Sequence, residues 1–563
     1  MAGHVNMMDD CLILNLPPAT LRSALRLLVS QGSVTQQPFV KHVRAKFFEN
    51  PPSFTTPEEL FPGHDIVAPA CLEYLAQTRC IFSCKLAKES LPYLEHFIQA
   101  IPQANARWTE NSKLTAVLAK FDGDVIQAVQ ALKESRPEPS PKLLSSLNSL
   151  LGIFKVCEWY CESAQPPLTF PFTRSRRQVC DVMDILFARD ASAFNNAKQA
   201  TIAIPTRAAG GHVVGTFSLG PFEMPRLFNG LWQVSSPSWG SGGAREQETA
   251  LAQAVSFGMT AADMADHYGD AELIYGDFRN RLTPEIRDKV YAATKWCIFS
   301  PVPTPIPPSF VLDAVRERCR RLGGRVELLQ FHWQNYEDKE YLPILTELLR
   351  ISKSHPELVS SIGLCNFDAE HVAESCEYLI AKTGAVGIVS NQVQFSLVDA
   401  RPLRKMVSVC EKYGLKLLTY GSFCGGFLSE RWLHQPAPAV YLESHQLTPS
   451  QRKYFDMIQT WGTWTTFQSL LSCLFPIADK HKVSISNIAT RWVLQQPTVG
   501  AVIVGTRLGV SDHIEDNLRV FGFSLDNDDM QNINAVALGP GGEKVSALFD
   551  KLGDCGNEYR KIH

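Results

Sequence analysis

Beyond about Gly211 the chain repeats one rhythm. Eight short apolar runs, FNGLWQ, AADMADH, VYAATKW, LLQFHW, VSSIGLCNF, VGIVSNQVQF, KLLTYGSF and VGAVIVGT, alternate with stretches whose apolar residues stand three and four apart. Strand-length runs separated by amphipathic helices describe a parallel sheet, and eight such units are what a closed (β/α)8 TIM barrel requires, an α/β fold. The helical stretches, among them REQETALAQAVSFG, FVLDAVRERCRRL and AEHVAESCEYLIA, supply its outer ring. Ahead of the first run, GHVVGTFSLGPFEMPR carries the Gly and Pro punctuation of a hairpin that plugs the barrel bottom. The seventh connection, from Leu428 to about Phe467, is unusually long and holds Trp432, Trp461 and Trp464, which predicts a substrate lid.

Up to Ser163 the rhythm is different. Leu21, Leu25 and Leu28, then Leu94, Phe97 and Ile101, then Leu114, Val117, Leu118 and Phe121 keep helical spacing, so residues 1–163 read as a separate all-α domain. Residues 164–211 turn to Pro, Ser, Arg and Asn and read as a linker with at most one short helix, residues 212–540 as the barrel, and 541–563 as a polar tail that either packs across the barrel or stays mobile. A length of 563 residues requires at least two domains. With 54 basic and 57 acidic side chains the net charge is -3, which carries no electrostatic footprint for nucleic acid or an anionic membrane. Acids near the start and the absence of an apolar run of roughly 18 residues point to a cytoplasmic protein without a signal peptide. The 15 cysteines form no disulfide framework, and those of CLEYLAQTRCIFSC and CEWYC read as buried thiols rather than zinc ligands. FDGDVIQAVQAL is faintly similar to the last helix of a ubiquitin-associated domain, and an ordinary amphipathic helix explains it as well. Docking of a protein partner is the residual expectation for this half.

In a barrel of this kind the site lies at the carboxyl ends of the strands. Asp263 lies in the second run and Tyr268 just past it, Lys295 ends the third run, and His332 is near the end of the fourth. Each alone has an ordinary explanation as a cap, a packed ring, a snorkelling lysine or a core histidine. Together an acid, a phenol, an amine and an imidazole make a proton-transfer set. A carbonyl that accepts hydride needs a proton on its oxygen, and a phenol with a pKa of about 10 releases one reluctantly. Lys295 is expected to lower that pKa for Tyr268, with Asp263 holding the lysine charged, while His332 donates a hydrogen bond to the carbonyl oxygen. This chemistry needs no metal.

At these residues the chain resembles the aldo-keto reductase superfamily over about 221–538. DMADHYGDAELIYG is similar to the family's Asp-Thr-Ala-x-x-Tyr-Gly-x-x-Glu block, with Asp263, Tyr268, Gly269 and Glu272 in place and Met264 where the family has threonine. KVYAATKW and VELLQFHW resemble the lysine and histidine blocks. SSIGLCNF resembles the Ile-Gly-Val-Ser-Asn segment, so Asn366, with Gln392, is implied to hold a nicotinamide carboxamide; Cys365 replaces the usual serine. The resemblance makes Tyr420 the ring stacked on the nicotinamide, with Gly421, Ser422 and Phe423 opening the pyrophosphate loop. It places the adenosine phosphate on Gly505, Thr506, Arg507, His513, Asp516 and Asn517, and Gly230 and Trp232 complete the cradle. His513 stands where NADP-preferring members often carry arginine, and Arg507 is its substitute, so NADP is expected with NAD as the other possibility. Two functions are implied: a reductase for an aldehyde, ketone or sugar carbonyl, its pocket lined by Trp232, Trp296 and Trp333, or a catalytically weak nucleotide-binding redox sensor or scaffold whose helical half binds a protein.

Overall fold

The computed structural model describes residues 12–187, 200–207, 211–235, 239–240, 242–439 and 447–560. Helices α1 (Pro18–Val29) and α2 (Ser33–Glu49) contain no buried residue. The helical core is built by α3 (Pro69–Ser83), α4 (Ala87–Gln103), α5 (Lys113–Glu134), α6 (Pro141–Ser163) and α7 (Thr173–Phe187). Ser112 caps α5 by accepting from the Thr115 N–H, and Leu114, Leu118, Phe121, Val125, Val129 and Leu132 form its buried face at the spacing a helix requires. The rings of Phe97 and Phe121 meet at 4.3 Å, and Phe172 joins Phe121 at 5.7 Å. Helix α7 falls within the stretch that reads as a linker; its Val179, Val182 and Met183 belong to this core. The core draws in these residues because three apolar side chains on one face outweigh the polar composition around them.

The barrel closes from eight parallel strands: β3 (Leu227–Gly230), β4 (Ala261–Asp263), β5 (Tyr291–Ile298), β6 (Val326–Trp333), β7 (Val359–Cys365), β8 (Ile388–Gln394), β9 (Lys416–Tyr420) and β10 (Val499–Gly505), which returns to β3. Between them stand α8 (Ala244–Ser256), α9 (Ala271–Asn280), α10 (Pro308–Arg321), α11 (Tyr341–Ser354), α12 (Ala369–Thr383), α13 (Met406–Tyr413), α14 (Pro449–Trp461), α15 (Trp464–His481) and α16 (Ile485–Leu494). The hairpin of β1 (Thr216–Leu219) and β2 (Phe222–Pro225) fills the amino-terminal end. Leu219 and Met224 pack with Phe228, Ala261, Ala293 and Leu328 inside the barrel. Phe217 leaves no room for a side chain at Gly500, where a Cβ would stand 2.2 Å from its ring.

The tryptophans of the seventh connection do not form the expected lid. Trp461 is buried and donates to the Ala537 carbonyl at 2.9 Å, while Trp432 and Trp464 pack with Phe427 and Phe467. They hold α14 and α15 to the barrel, because an indole buries more apolar surface there than it would over a wet pocket. The carboxyl-terminal tail packs across the barrel mouth: after α17 (Asn527–Ala537) and α18 (Glu543–Leu552), Arg560 donates to the Asn366 carbonyl at 2.9 Å and pairs with Asp368 at 3.2 Å.

Candidate active site

Strand register brings the four ionisable groups to one mouth. Gly230 pairs with Asp263, Lys295 with Gln330, and Cys297 with His332, so these groups share the carboxyl-terminal layer of the sheet. Lys295 Nζ donates to Asp263 Oδ2 at 2.6 Å and to the Met264 carbonyl at 2.9 Å. Asp263 Oδ1 accepts from Gln330 Nε2 at 2.9 Å and from Gln392 Nε2 at 2.7 Å, which saturates the carboxylate in a buried site. The ammonium stands 4.8 Å from the centre of the Tyr268 ring.

Burial raises the Tyr268 phenol above its ordinary pKa; Lys295 opposes this and Asp263 adds to it. The expected lowering by Lys295 is therefore present but outweighed, and Tyr268 is a protonated phenol at neutral pH. Burial works against the charge of Lys295, yet Asp263 and Tyr268 together carry its pKa above the ordinary value. His332 is pushed down to about 3 by burial, with His267 adding to the effect. Its Nδ1 lies 3.1 Å from the Cys365 carbonyl, and a carbonyl only accepts, so Nδ1 carries the proton. In the neutral ring Nε2 is then the acceptor nitrogen. A protonated phenol above a buried lysine–aspartate pair can give one proton to a nearby oxygen and have the resulting charge met by the ammonium.

These groups open into one cavity of about 1080 Å³. It is also lined by Gly230, Trp232, Asn366, Gln392, Tyr420, Gly421, Ser422, Phe423, Gly505, Arg507 and His513. Three residues expected there lie outside the lining: Thr506 turns its hydroxyl to the Val504 carbonyl, Asp516 accepts from Ser484, and Asn517 sits in the short helix Ile514–Leu518. Trp232 and Trp296 face the cavity, whereas Trp333 is turned into the surrounding core, where its indole N–H donates to the Asn335 carbonyl at 2.6 Å. The residues present fit a dinucleotide. Gly421 has φ +83°, and a Cβ there would stand 2.5 Å from the Tyr454 hydroxyl, so backbone is exposed beside Ser422 where a side chain would intrude. Arg507 and Lys453 bring positive charge to the lining. Gln392 spends its amide hydrogens on Asp263 and Gln330 and not on Asn366. The Asn366 Oδ1 accepts from the Tyr420 hydroxyl at 2.9 Å.

Several lining residues carried no signal in the sequence. Lys453 of α14 stands 5.3 Å from the Tyr420 ring and 4.8 Å from that of Tyr559, whose hydroxyl accepts from it and lies 3.2 Å from the Tyr420 hydroxyl. Gln330, beneath the lining, carried none either: it is a buried strand residue that donates to Asp263. Gln130, Lys133, Glu134, Arg136, Ile185 and Leu186 of the helical half line the same cavity. Asp266, His267 and Cys297 bring ligand-type atoms within 4.8 Å of one another, but the Asp266 carboxylate is paired with Arg318 and accepts the Cys297 N–H, so the trio anchors a turn.

Comparison with known proteins follows the barrel. A family model described as the aldo/keto reductase family matches residues 226–538. The chloroplastic pyridoxal reductase of Arabidopsis thaliana is 24% identical over 336 residues, 57% of this chain and 85% of that protein. The NADH-specific methylglyoxal reductase of Escherichia coli is 21% identical over 344 residues, 56% of this chain and 95% of that protein. The flagellar radial spoke protein 5 of Chlamydomonas reinhardtii is 29% identical over 181 residues, 30% of this chain, and the match spans only 33% of that protein. Among solved structures, the thermostable aldo-keto reductase Tm1743 in complex with the inhibitor epalrestat aligns with a TM-score of 0.42 and 22% identity over 57% of this chain and 99% of that one.

Proposed function

Because the chain belongs to the aldo/keto reductase family, we propose that it is a nicotinamide-dependent oxidoreductase that reduces an aldehyde, ketone or sugar carbonyl, or oxidises the matching alcohol, with NADP preferred to NAD. The observation that carries this reading is the Lys295–Asp263 pair, 2.6 Å long, with the ammonium 4.8 Å from the centre of the Tyr268 ring. A reduced nicotinamide, when bound, supplies the hydride to the carbonyl carbon. Tyr268 gives its phenolic proton to the oxygen that becomes the hydroxyl. Lys295 meets the charge left on the phenol oxygen, Asp263 keeps the ammonium in place, and solvent returns the proton. His332 borders the cavity beside Tyr268, its ring fixed by the Nδ1–H bond to the Cys365 carbonyl, and shapes how the substrate oxygen approaches the phenol. Asn366, Tyr420, Ser422, Phe423 and Arg507 hold the dinucleotide, with Arg507 toward a 2'-phosphate.

The test is a titration of the purified chain with NADPH and with NADH, followed by a carbonyl panel in the cofactor that binds more tightly. Turnover on at least one carbonyl supports the reading. Tight binding without turnover on any of them removes it in favour of a second reading, a nucleotide-binding subunit of a protein assembly, which the match to a radial spoke protein favours.

A further inference from the structure

Tyr268 sits on the turn that joins β4 to α9, and this turn is gripped from outside the barrel. The Asp266 carbonyl accepts from Lys133 Nζ at 3.1 Å and from Gln130 Nε2 at 3.4 Å, both on α5. At the other end of the turn, the buried Asp270 carboxylate accepts from Arg174 of α7 at 3.0 and 2.7 Å, a two-pronged pair. Between them Gly269 adopts φ +56°, and Ile126 of α5 lies 3.1 Å from where its Cβ would be. Arg321 of α10 completes the grip by donating to the Gly269 carbonyl at 3.0 Å. Both ends of a five-residue turn are thus tied to the helical half, and the residue in its middle is the phenol.

We infer that the helical half is a working part of the active site: Lys133 and Arg174 are positioning residues for Tyr268, and Ile185 and Leu186 form the wall that sets which carbonyl compounds enter. The inference rests on the proposed oxidoreductase reading and extends it. A phenol that must meet a carbonyl oxygen within hydrogen-bond reach loses rate steeply when its backbone shifts by an ångström. The turn has few backbone bonds of its own: the Tyr268 N–H reaches the Ala265 carbonyl at 3.1 Å, and the Tyr268 carbonyl accepts from the Ala271 N–H at 3.1 Å. The barrel anchors the turn at Asp266, whose carboxylate pairs with Arg318 and accepts the Cys297 N–H, and the holds from a second packed body at both flanks add to that rigidity. Ile185 and Leu186 line the cavity that opens at Tyr268, as do Trp296, Phe299 and Phe310 of the barrel, and these apolar side chains suit a carbonyl compound with an apolar body.

The test uses the full-length chain, NADPH and 4-nitrobenzaldehyde, with Lys133→Met, Arg174→Met and Arg174→Lys. Positioning predicts a fall in kcat of at least tenfold in both methionine variants, less than a twofold change in KM for NADPH, and partial recovery in Arg174→Lys, which keeps the charge but one prong fewer. Combining Arg174→Met with Asp270→Asn should lose no more than the worse single variant, because both remove the same pair. Leu186→Trp should lower kcat/KM for 2-naphthaldehyde at least fivefold more than for 4-nitrobenzaldehyde. Hydrogen exchange of the peptide over residues 265–271 reads the turn without any turnover, and it should speed up in both methionine variants. Unchanged exchange together with wild-type kcat overturns the inference, as does a loss of NADPH affinity in step with kcat. A wild-type chain inert on every carbonyl, with exchange still faster in the variants, instead sinks the oxidoreductase reading and leaves the grip on the turn standing.

Discussion

The residue whose chemistry matters most, Tyr268, is held protonated by burial rather than poised for ionisation. The sign of its pH dependence follows. A proton donor whose pKa is raised stays loaded as pH rises, so carbonyl reduction should hold level from about pH 6 to about pH 10, while oxidation of the alcohol, which needs the phenolate, should climb over the same range. Initial rates in both directions across that range check this, and a reduction limb falling near neutrality would assign the proton to another group. Arg507 gives a second test at this scale. A guanidinium paired with a phosphate contributes about 1.5–3 kcal/mol, so Arg507→Met should weaken NADPH binding by roughly tenfold or more and leave NADH within about twofold. Equal losses for both cofactors would place the 2'-phosphate elsewhere.

At the scale of elements, the eight strands and their helices were legible because each is a short apolar run bounded by turns, and burial on both faces leaves little ambiguity. The plug hairpin was legible from its punctuation. The seventh connection was legible in length but not in use: three tryptophans read as a lid, and packing against Phe427, Phe467 and the Ala537 carbonyl made them anchors instead. The tail was open between two states, and its geometry shows what holds it down. Gly556 has φ +76°, and a Cβ there would stand 2.0 Å from the Asn366 carbonyl oxygen. Gly556→Ala should therefore lift the tail from the barrel mouth, and carboxypeptidase should trim the variant at least about tenfold faster than wild type. Equal trimming rates would mean that Arg560 and Tyr559 hold the tail without the turn.

At the scale of the whole molecule, two cores are joined by buried ion pairs. Arg174–Asp270 at 2.7 Å and Arg321–Asp181 at 3.4 Å are nearly closed to solvent, and Asp181 of α7 is held below the usual carboxylate range by Arg321, Lys133 and Arg320 despite its burial. Removing one partner of such a pair costs about 3–5 kcal/mol because the other charge is left buried. Wild-type chain should therefore unfold in one calorimetric transition, and Arg174→Met should split it into two; a single unshifted transition in the variant would show that the pair does not couple the halves. None of this was visible from spacing. Lys133, Arg174 and Asp181 look like ordinary charged positions, and only the docking of α5 and α7 onto the β4–α9 turn and onto α10 gives them partners. That Asp263, Tyr268, Lys295 and His332 would meet at one mouth, by contrast, was legible because a repeated strand–helix unit fixes where each strand ends.

The measurement that bears most directly on the account compares wild type with Tyr268→Phe in two assays, NADPH binding by fluorescence titration and NADPH oxidation with the best carbonyl of the panel. The account requires dissociation constants within about twofold of each other and a fall in turnover of at least about a hundredfold, since a general acid of this kind commonly contributes 10² to 10⁴. If Tyr268→Phe turns over at the wild-type rate, the proton comes from another group and the chemistry assigned to the Lys295–Asp263 pair is wrong.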